Sequence, residues 1–113
     1  MAVIDIPVTV EEIKEYQQIR TPDYALLANL LKKAKGPERA MAQFAEDARI
    51  GASTLSRIVN LHIKKPLSID MIVAIYEARA NKEDTYLLGA LARANGFFSS
   101  DYAEKVKTRN DFA

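Results

Sequence analysis

Residues 41–60, with the sequence MAQFAEDARIGASTLSRIVN, constrain the fold of this chain more than any other segment. Each half carries apolar residues at the spacing of one helix face, and these are Phe44, Ala45 and Ala48, then Leu55, Ile58 and Val59. Ile50 and Gly51 fall between the two faces, where an apolar plug and a flexible backbone favour a tight turn. Ser53 is expected to cap the second helix through its hydroxyl group. The segment therefore predicts two short helices joined by a turn, the second with a polar outer face.

This segment resembles the helix-turn-helix of the phage-repressor and Cro-like (XRE-type) DNA-binding family. In that family a small residue in the first helix, an apolar turn residue and two apolar residues of the second helix recur at fixed spacing. Ala45, Ile50, Leu55 and Ile58 occupy these positions here. The resemblance covers residues 24–80 and implies an all-α fold, a compact helical bundle of the lambda-repressor-like type with extra N- and C-terminal segments.

Two positions depart from the family pattern. The family usually has glycine where this chain has Arg49, and Gly51 follows two residues later, so we expect a differently built turn. The family also often has a phosphate-clamping glutamine where this chain has Met41. Gln43 lies two residues further along and is the candidate for that contact.

The resemblance assigns the outer face of the second helix to DNA. The helix at residues 52–60 is expected to enter the major groove and to contact base edges from its amino-terminal end. The expected base contacts are Ala52, Ser53, Thr54 and Arg57, and the expected phosphate contacts are Gln43, Ser56, Asn60, Lys64 and Lys65. Arg57 is the leading candidate, because a guanidinium group can bond a guanine at two positions, although it can also hold a phosphate.

Positive charge is concentrated around the same segment, although the whole chain carries a formal charge of only +1. The net charge is −3 over residues 1–31, +5 over residues 32–65 and −1 over residues 66–113. The basic residues of the middle stretch are Lys32, Lys33, Lys35, Arg39, Arg49, Arg57, Lys64 and Lys65. We expect them to lie on one side of the fold and to meet phosphates, the alternative being a solvated basic face.

Two helix-start signals precede this segment. Residues 9–12 match a capping box, which predicts a short helix that ends before Thr21. Thr21, Pro22 and Asp23 predict a second start, with a hydroxyl cap, proline at the first helical position and an acid in the first turn. This second helix is expected to end at Gly36.

Later helix boundaries are also marked. Pro37 is expected to begin the next helix and Ser68 is expected to cap a later one. The last helix is expected to start near residue 83 and to end at Gly96.

Residues 4–10 alternate apolar and polar side chains, as an edge strand does. Two structures account for that pattern. One is an arm that pairs with a second subunit, and the other is an extended tail that lies over the chain's own helices. The ranges expected are 1–20 for an N-terminal arm and short helix, 21–80 for the DNA-binding core, and 81–113 for a helical extension and polar tail.

Composition argues against several classes of protein. The chain has no cysteine, and its single histidine, His62, lies in a loop beside two lysines, so no metal site and no cofactor are expected. It has no glycine-rich phosphate loop, and catalysis is not expected. No apolar run approaches the roughly 20 residues of a membrane span, and the amino terminus lacks the regions of a signal peptide, so a cytoplasmic location is expected.

These features predict a sequence-specific regulator of transcription that binds double-stranded DNA as a homodimer on a palindromic operator, since one recognition helix reads too few bases. Residues 3–19 and 83–103 are the candidates for the dimer surface. A regulatory protein partner also stays open. The alternative is a protein-interaction module, antitoxin-like or adaptor, built on the same fold. The polar face of residues 52–60 favours DNA, whereas Leu61, where the family prefers glycine, and the single arginine of the helix keep the alternative open.

Overall fold

The chain is predominantly helical in a computed structural model that describes residues 7–104. The helices are α1 (Val10–Ile13), α2 (Tyr24–Lys35), α3 (Met41–Ala48), α4 (Ala52–Val59), α5 (Ile69–Glu77) and α6 (Leu87–Ala94), followed by helical residues 100–104. Two short strands, β1 (Gln17–Gln18) and β2 (Phe97–Phe98), pair antiparallel, with Gln17 opposite Phe98. The prediction of a helical fold class is therefore confirmed, with one small sheet added to it.

A single hydrophobic core joins all six helices. Its members include Ile13 of α1, Leu31 of α2, Phe44 of α3, Ile58 of α4 and Leu91 of α6, each at most 1% exposed. Helix α2 is central to this packing, because it contacts α4, α5 and α6. Each such buried aliphatic or aromatic side chain stabilises the fold by roughly 1.5–3 kcal/mol. The three ranges expected from the sequence therefore contribute to one shared core.

Several sequence signals act as expected at helix ends. The Thr9 hydroxyl accepts a hydrogen bond from the Glu12 N–H at 3.1 Å, and the Glu12 carboxylate accepts one from the Thr9 N–H at 3.3 Å. This is the predicted capping box, which fixes the start of α1. Ser68 caps α5 by accepting from the Met71 N–H at 3.1 Å. Gly36 ends α2 with a φ of 80°, a left-handed value that favours glycine.

The predicted start of α2 is wrong by two residues. Its cap is Asp23, whose carboxylate accepts from the Leu26 N–H at 3.1 Å, and not Thr21. The Asp23 N–H donates to the Ala94 carbonyl at 2.7 Å, so a contact with the end of α6 holds this residue outside the helix. A tertiary hydrogen bond therefore decides which of two adjacent capping signals is used.

Three further boundaries differ from the prediction. Helix α6 begins at Leu87 and not near residue 83. The first helix ends at Ile13 and is shorter than the predicted helix, which ended just before Thr21, because the chain turns and then pairs with β2 through β1. Pro37 begins no helix, and α3 starts at Met41. The intervening loop is held by the Lys35 ammonium, which donates to the carbonyls of Gly36 and Arg39 at 2.8 and 2.7 Å.

The predicted edge strand at residues 4–10 does not form where the structure describes it. Val8 is half-buried against the core beside Gly89 of α6, and Val10 begins α1. Ile4 and Ile6 lie outside the described residues, as do residues 105–113 of the expected polar tail. For residues 7–10, the structure matches the alternative of a segment that covers the chain's own helices.

The end of α6 ties two distant loops to the core. Asn95 is fully buried, and its side-chain amide donates to the Leu67 carbonyl at 2.7 Å and accepts from the Leu67 N–H at 2.8 Å. Gly96 ends the helix with a φ of 85°, and its carbonyl accepts from the Ile19 N–H at 2.9 Å. A Cβ atom at Gly96 would collide with the Arg20 carbonyl. These bonds fix the loop before α5, which borders the candidate site.

Candidate nucleic-acid interface

The turn between α3 and α4 is built on a left-handed arginine. Arg49 has φ 58° and ψ 39°, whereas Gly51 has φ −58° and needs no glycine-specific conformation. The Ile50 N–H donates to the Ala45 carbonyl at 3.0 Å, which closes the turn. The left-handed position therefore falls on Arg49 itself, so the expectation of a differently built turn is wrong at this position. A left-handed non-glycine residue is strained, and such strain concentrates at functional segments.

The apolar faces predicted for α3 and α4 are confirmed. Ala45 is 4% exposed and Leu55 and Ile58 are fully buried, so the two helices are packed together through these side chains. Because α4 also packs on α2, its buried face is fixed and its opposite face is left to solvent. The core thereby determines which residues of α4 a ligand can reach.

Ser53 does not cap α4, contrary to the prediction. The helix already begins at Ala52, and the cap position is Gly51, whose carbonyl accepts from the Thr54 and Leu55 N–H groups at 3.0 and 3.2 Å. The backbone of Gly51 meets the extended cap geometry before the chain reaches Ser53. The Ser53 hydroxyl is exposed and has no hydrogen-bond partner within residues 7–104, so it is available to a ligand.

The predicted contact residues of α4 lie on its outer side. Ala52, Ser53, Ser56 and Arg57 are exposed, and Thr54 is half-buried. Asn60, which follows the helix, is also exposed, and its side-chain amide donates to the Ser56 hydroxyl at 3.2 Å. The structure therefore brings the predicted base-contact residues and two of the predicted phosphate contacts onto one surface.

The loop after α4 brings Lys64 and Lys65 next to Arg57. These three residues, with His62 and Thr54, border a groove of about 460 Å³. The floor of the groove is apolar and is formed by Ile58, Ile63, Pro66, Leu67 and Met71. Cationic groups around an apolar floor suit a ligand with anionic groups, such as a nucleic-acid backbone.

The backbone holds this loop in a defined path. The His62 N–H donates to the Arg57 carbonyl at 2.8 Å, and the Leu61 N–H donates to the Ile58 carbonyl at 3.2 Å. Leu61 has a φ of 61°, so it ends the helix in the left-handed region, where leucine is unusual. Its side chain is 53% exposed. The positions of Lys64 and Lys65 follow from this turn and from the Asn95 contact to Leu67.

The eight basic residues of the middle stretch fall into two sets. Arg49, Arg57, Lys64, Lys65 and Lys32 are exposed and make no ion pair or side-chain hydrogen bond with any described part of the chain. Lys33, Lys35 and Arg39 do have partners, since Lys33 pairs with Asp84 at 3.4 Å and Lys35 donates to two carbonyls. Phosphate contact stays a prediction for all eight residues, and Lys33, Lys35 and Arg39 would have to leave a partner in the fold to make it.

Arg39 is the most fully engaged of these residues. Its guanidinium donates to the carbonyls of Lys35, Ala34 and Ala78 and to the Asp47 carboxylate, at 3.0, 3.0, 2.7 and 3.0 Å respectively. It also lies over the Phe44 ring, 4.7 Å from the centroid. Arg39 therefore links the ends of α2 and α5 to α3, a role the sequence analysis missed. Its closeness to the helix end at Gly36 was the only available signal, since basic side chains bond the last carbonyls of helices.

Gln43 is exposed near the start of α3, but it has a partner. Its amide donates to the Asp47 carboxylate at 2.8 Å. This bond and the bond from Arg39 hold the pKa of Asp47 below its ordinary value. A phosphate contact at Gln43 stays a prediction, and making it requires the amide to leave a carboxylate.

Comparison of the chain with models of protein families, with curated proteins and with solved structures found no match. Within the described residues, no helix has the length and apolar character needed to span a bilayer. Residues 7–104 also contain no group of three side chains that could hold a metal ion. The functional proposal therefore rests on the chain's own residues.

Proposed function

We propose that this protein is a sequence-specific regulator of transcription that binds double-stranded DNA through a helix-turn-helix formed by α3, its turn and α4. The fold proposed is of the lambda-repressor-like type. Helix α4 enters the major groove, Ala52, Ser53, Thr54 and Arg57 contact base edges, and the residues around the groove hold phosphates. The observation that carries this proposal is the exposed Arg57 beside Lys64 and Lys65, none of them satisfied within residues 7–104.

Electrostatics and helix ends support the same assignment. Helices α3 and α4 begin without a side-chain cap, at Ala40 and Gly51, as does α6, whereas α1, α2 and α5 are capped by side chains. The uncapped N–H groups of α3 and α4 are available to an anion, which the helix dipole also favours. A groove-binding helix and its preceding partner are the elements that approach DNA phosphates.

Each recognition helix contacts only a few base pairs, so the proposal includes a homodimer that reads two half-sites about one helical turn apart. The direct test is selection of bound duplexes from a random pool with the full chain. Enrichment of a palindrome with fixed spacing between its half-sites is the expected result. Absence of any enriched sequence at low salt would contradict the proposal.

A protein-interaction module on the same fold is the second candidate, and Leu61 is the observation that favours it. This leucine is exposed and lies at a left-handed position where glycine carries no strain. Leu61→Gly separates the two functions, because a DNA reader loses only a peripheral apolar contact. DNA affinity unchanged by this substitution supports the regulator. Loss of a co-purified protein partner, with no DNA binding by either variant, supports the module.

A further inference from the structure

A second groove, of about 330 Å³, lies between the start of α2, helix α6 and β2. Its apolar walls include Leu26, Leu30, Ala90 and Phe98, and the charged groups are those of Arg20, Asp23 and Arg93. Leu26 is 43% exposed, which makes it one of the few large apolar side chains that the described fold leaves in water. The groove does not overlap the α4 surface.

The helix segments that form this groove are poor in charge on their outer sides. Residues 24–31 of α2 contain no charged side chain, although Ala25, Leu26 and Asn29 are exposed. Helix α6 has one charged residue, Arg93. A solvent-facing helix surface normally carries charged residues, and charge depletion around an exposed leucine is typical of the centre of a protein interface.

The groove has three charged groups, and one of them is engaged within the fold, because the Arg20 guanidinium donates to the Tyr102 hydroxyl at 3.2 Å. The other two, Asp23 and Arg93, are of opposite sign and are not paired with each other. One carboxylate oxygen of Asp23 accepts from the Leu26 N–H. The Arg93 guanidinium has no ion pair or hydrogen bond in the range 7–104. In a two-fold interface residue i meets residue j and j meets i, so Arg93 of each copy can meet Asp23 of the other, and these two groups are self-complementary in charge.

The groove also lies in a suitable place relative to α4. Helix α2 packs against both α4 and α6, while the main neighbours of α4 are α2 and α3. A partner held between α2 and α6 therefore leaves the outer face of α4 free. This arrangement suits a protein that presents two recognition helices to one duplex.

We infer that the α2–α6 groove is the contact surface between two copies of this chain. The Leu26 side chains are covered by the partner copy, and Arg93 and Asp23 form reciprocal ion pairs at the rim. The inference rests on the proposed function only for the role of the dimer, which is to present two recognition helices to one duplex. The dimer itself forms without DNA.

The test is the mass of the full chain in solution, measured by sedimentation equilibrium over a range of concentrations. The wild type is expected to be a dimer, and Leu26→Glu is expected to raise the dimer dissociation constant on the order of 100-fold, because each interface loses two buried leucines and gains two buried charges. Leu61→Glu is the matched control, since it changes another exposed leucine, which lies outside the groove. It is expected to stay dimeric.

A charge reversal keeps the inference testable if Leu26→Glu does not fold. Arg93→Glu is expected to weaken the dimer, whereas Arg93→Lys keeps the positive charge and is expected to preserve it. Circular dichroism reports the fold of each variant. Unchanged dimerisation of Arg93→Glu, or a monomeric wild type, would overturn the inference.

The outcomes also separate this inference from the DNA proposal. A monomeric wild type that still enriches one duplex sequence refutes the groove dimer and leaves the DNA proposal standing. A dimer that Leu26→Glu dissociates, with no enriched sequence for the wild type, supports the groove dimer and refutes the DNA proposal.

Discussion

Arg39 and Arg57 are the same residue type on neighbouring parts of the chain, yet the fold uses them in opposite ways. Arg39 makes four hydrogen bonds and lies over an aromatic ring. Arg57 projects from α4 and makes no side-chain bond to the described residues. The first stabilises the position of α3, and the second is left for a ligand. Local net charge alone therefore overstates the charge available to DNA.

The same contrast holds for the lysines and asparagines. Lys35 is held by backbone carbonyls, whereas Lys64 and Lys65 are exposed beside Arg57. Asn95 is buried with both amide groups bonded, whereas Asn60 is exposed at the end of α4. Stability and binding are thus assigned to different members of each pair, and substitutions should separate the two properties.

The largest effect is expected for Arg39→Met, which keeps an apolar side chain over Phe44 but removes all four hydrogen bonds. The carbonyls of Lys35 and Ala78 lose their side-chain donor, while the Ala34 carbonyl and the Asp47 carboxylate each lose one of two donors. The free energy of unfolding should fall by about 3 kcal/mol. Urea denaturation measures this change. Arg57→Met is the control and should alter stability by less than about 0.5 kcal/mol. Equal midpoints for the two variants would contradict the role given to Arg39.

Asn95→Ala should follow in size, with a loss of about 2 kcal/mol, because the Leu67 N–H and carbonyl are left buried without partners. The measurement is again urea denaturation. Asn60→Ala removes an exposed amide from the other member of the pair and should cost less than about 0.5 kcal/mol. A similar decrease in the free energy of unfolding for both variants would contradict the stabilising role given to the buried bonds between Asn95 and Leu67.

Arg57→Ala should reduce affinity for the selected duplex by roughly 1–3 kcal/mol without affecting stability. Arg57→Lys keeps the charge but cannot form two parallel bonds to guanine, so it distinguishes the two possible contacts. If Arg57 reads a base, lysine fails to restore affinity. If it holds a phosphate, lysine restores most of it. Full affinity in Arg57→Ala would falsify its assignment to the interface.

Lys64→Gln and Lys65→Gln should weaken binding to all duplexes equally, because phosphates carry no sequence information. Each lost phosphate contact should lower the slope of log affinity against log salt by about 0.9. Titrations at several salt concentrations measure the slope. Lys14→Gln on α1, whose ammonium pairs with Glu11, is the control and should leave the slope unchanged. An identical slope in all three variants would place the loop away from DNA.

The smallest effect concerns the acid limb of the stability profile. The bonds from Gln43 and Arg39 lower the pKa of Asp47 in the folded protein. The stability from this carboxylate is therefore present above its unfolded pKa and is lost as the pH falls through the lower, folded pKa. Asp47→Asn should make the unfolding free energy less dependent on pH below about pH 4. A profile as steep as that of the wild type would exclude this contribution.

Much of the local structure could be predicted from the sequence, because the signals are local. The capping box at residues 9–12, the cap at Ser68 and the glycines at the ends of α2 and α6 depend on groups a few residues apart. The apolar faces of α3 and α4 likewise follow from helical period. These predictions succeeded where no distant partner competes.

The predictions that failed depended on distant partners or on competition between adjacent signals. Asp23 replaced Thr21 as the cap of α2 because its N–H is bonded to Ala94. Gly51 replaced Ser53 as the cap of α4 because the chain was already helical at residue 52. For the candidate site, the sequence correctly predicted which residues form the outer face of α4. It could not show that Gln43 is bonded to Asp47.

The sequence by itself determined the helical period, most helix ends and the concentration of basic residues around α4. Only the tertiary structure decided which of those basic residues are free. Arg39 is satisfied in part by the carbonyl of Ala78, 39 residues away, and Asn95 by Leu67, 28 residues away. Hydrogen-bond partners so far apart meet only after the core has packed, and the charges left without such partners form the candidate DNA-binding surface.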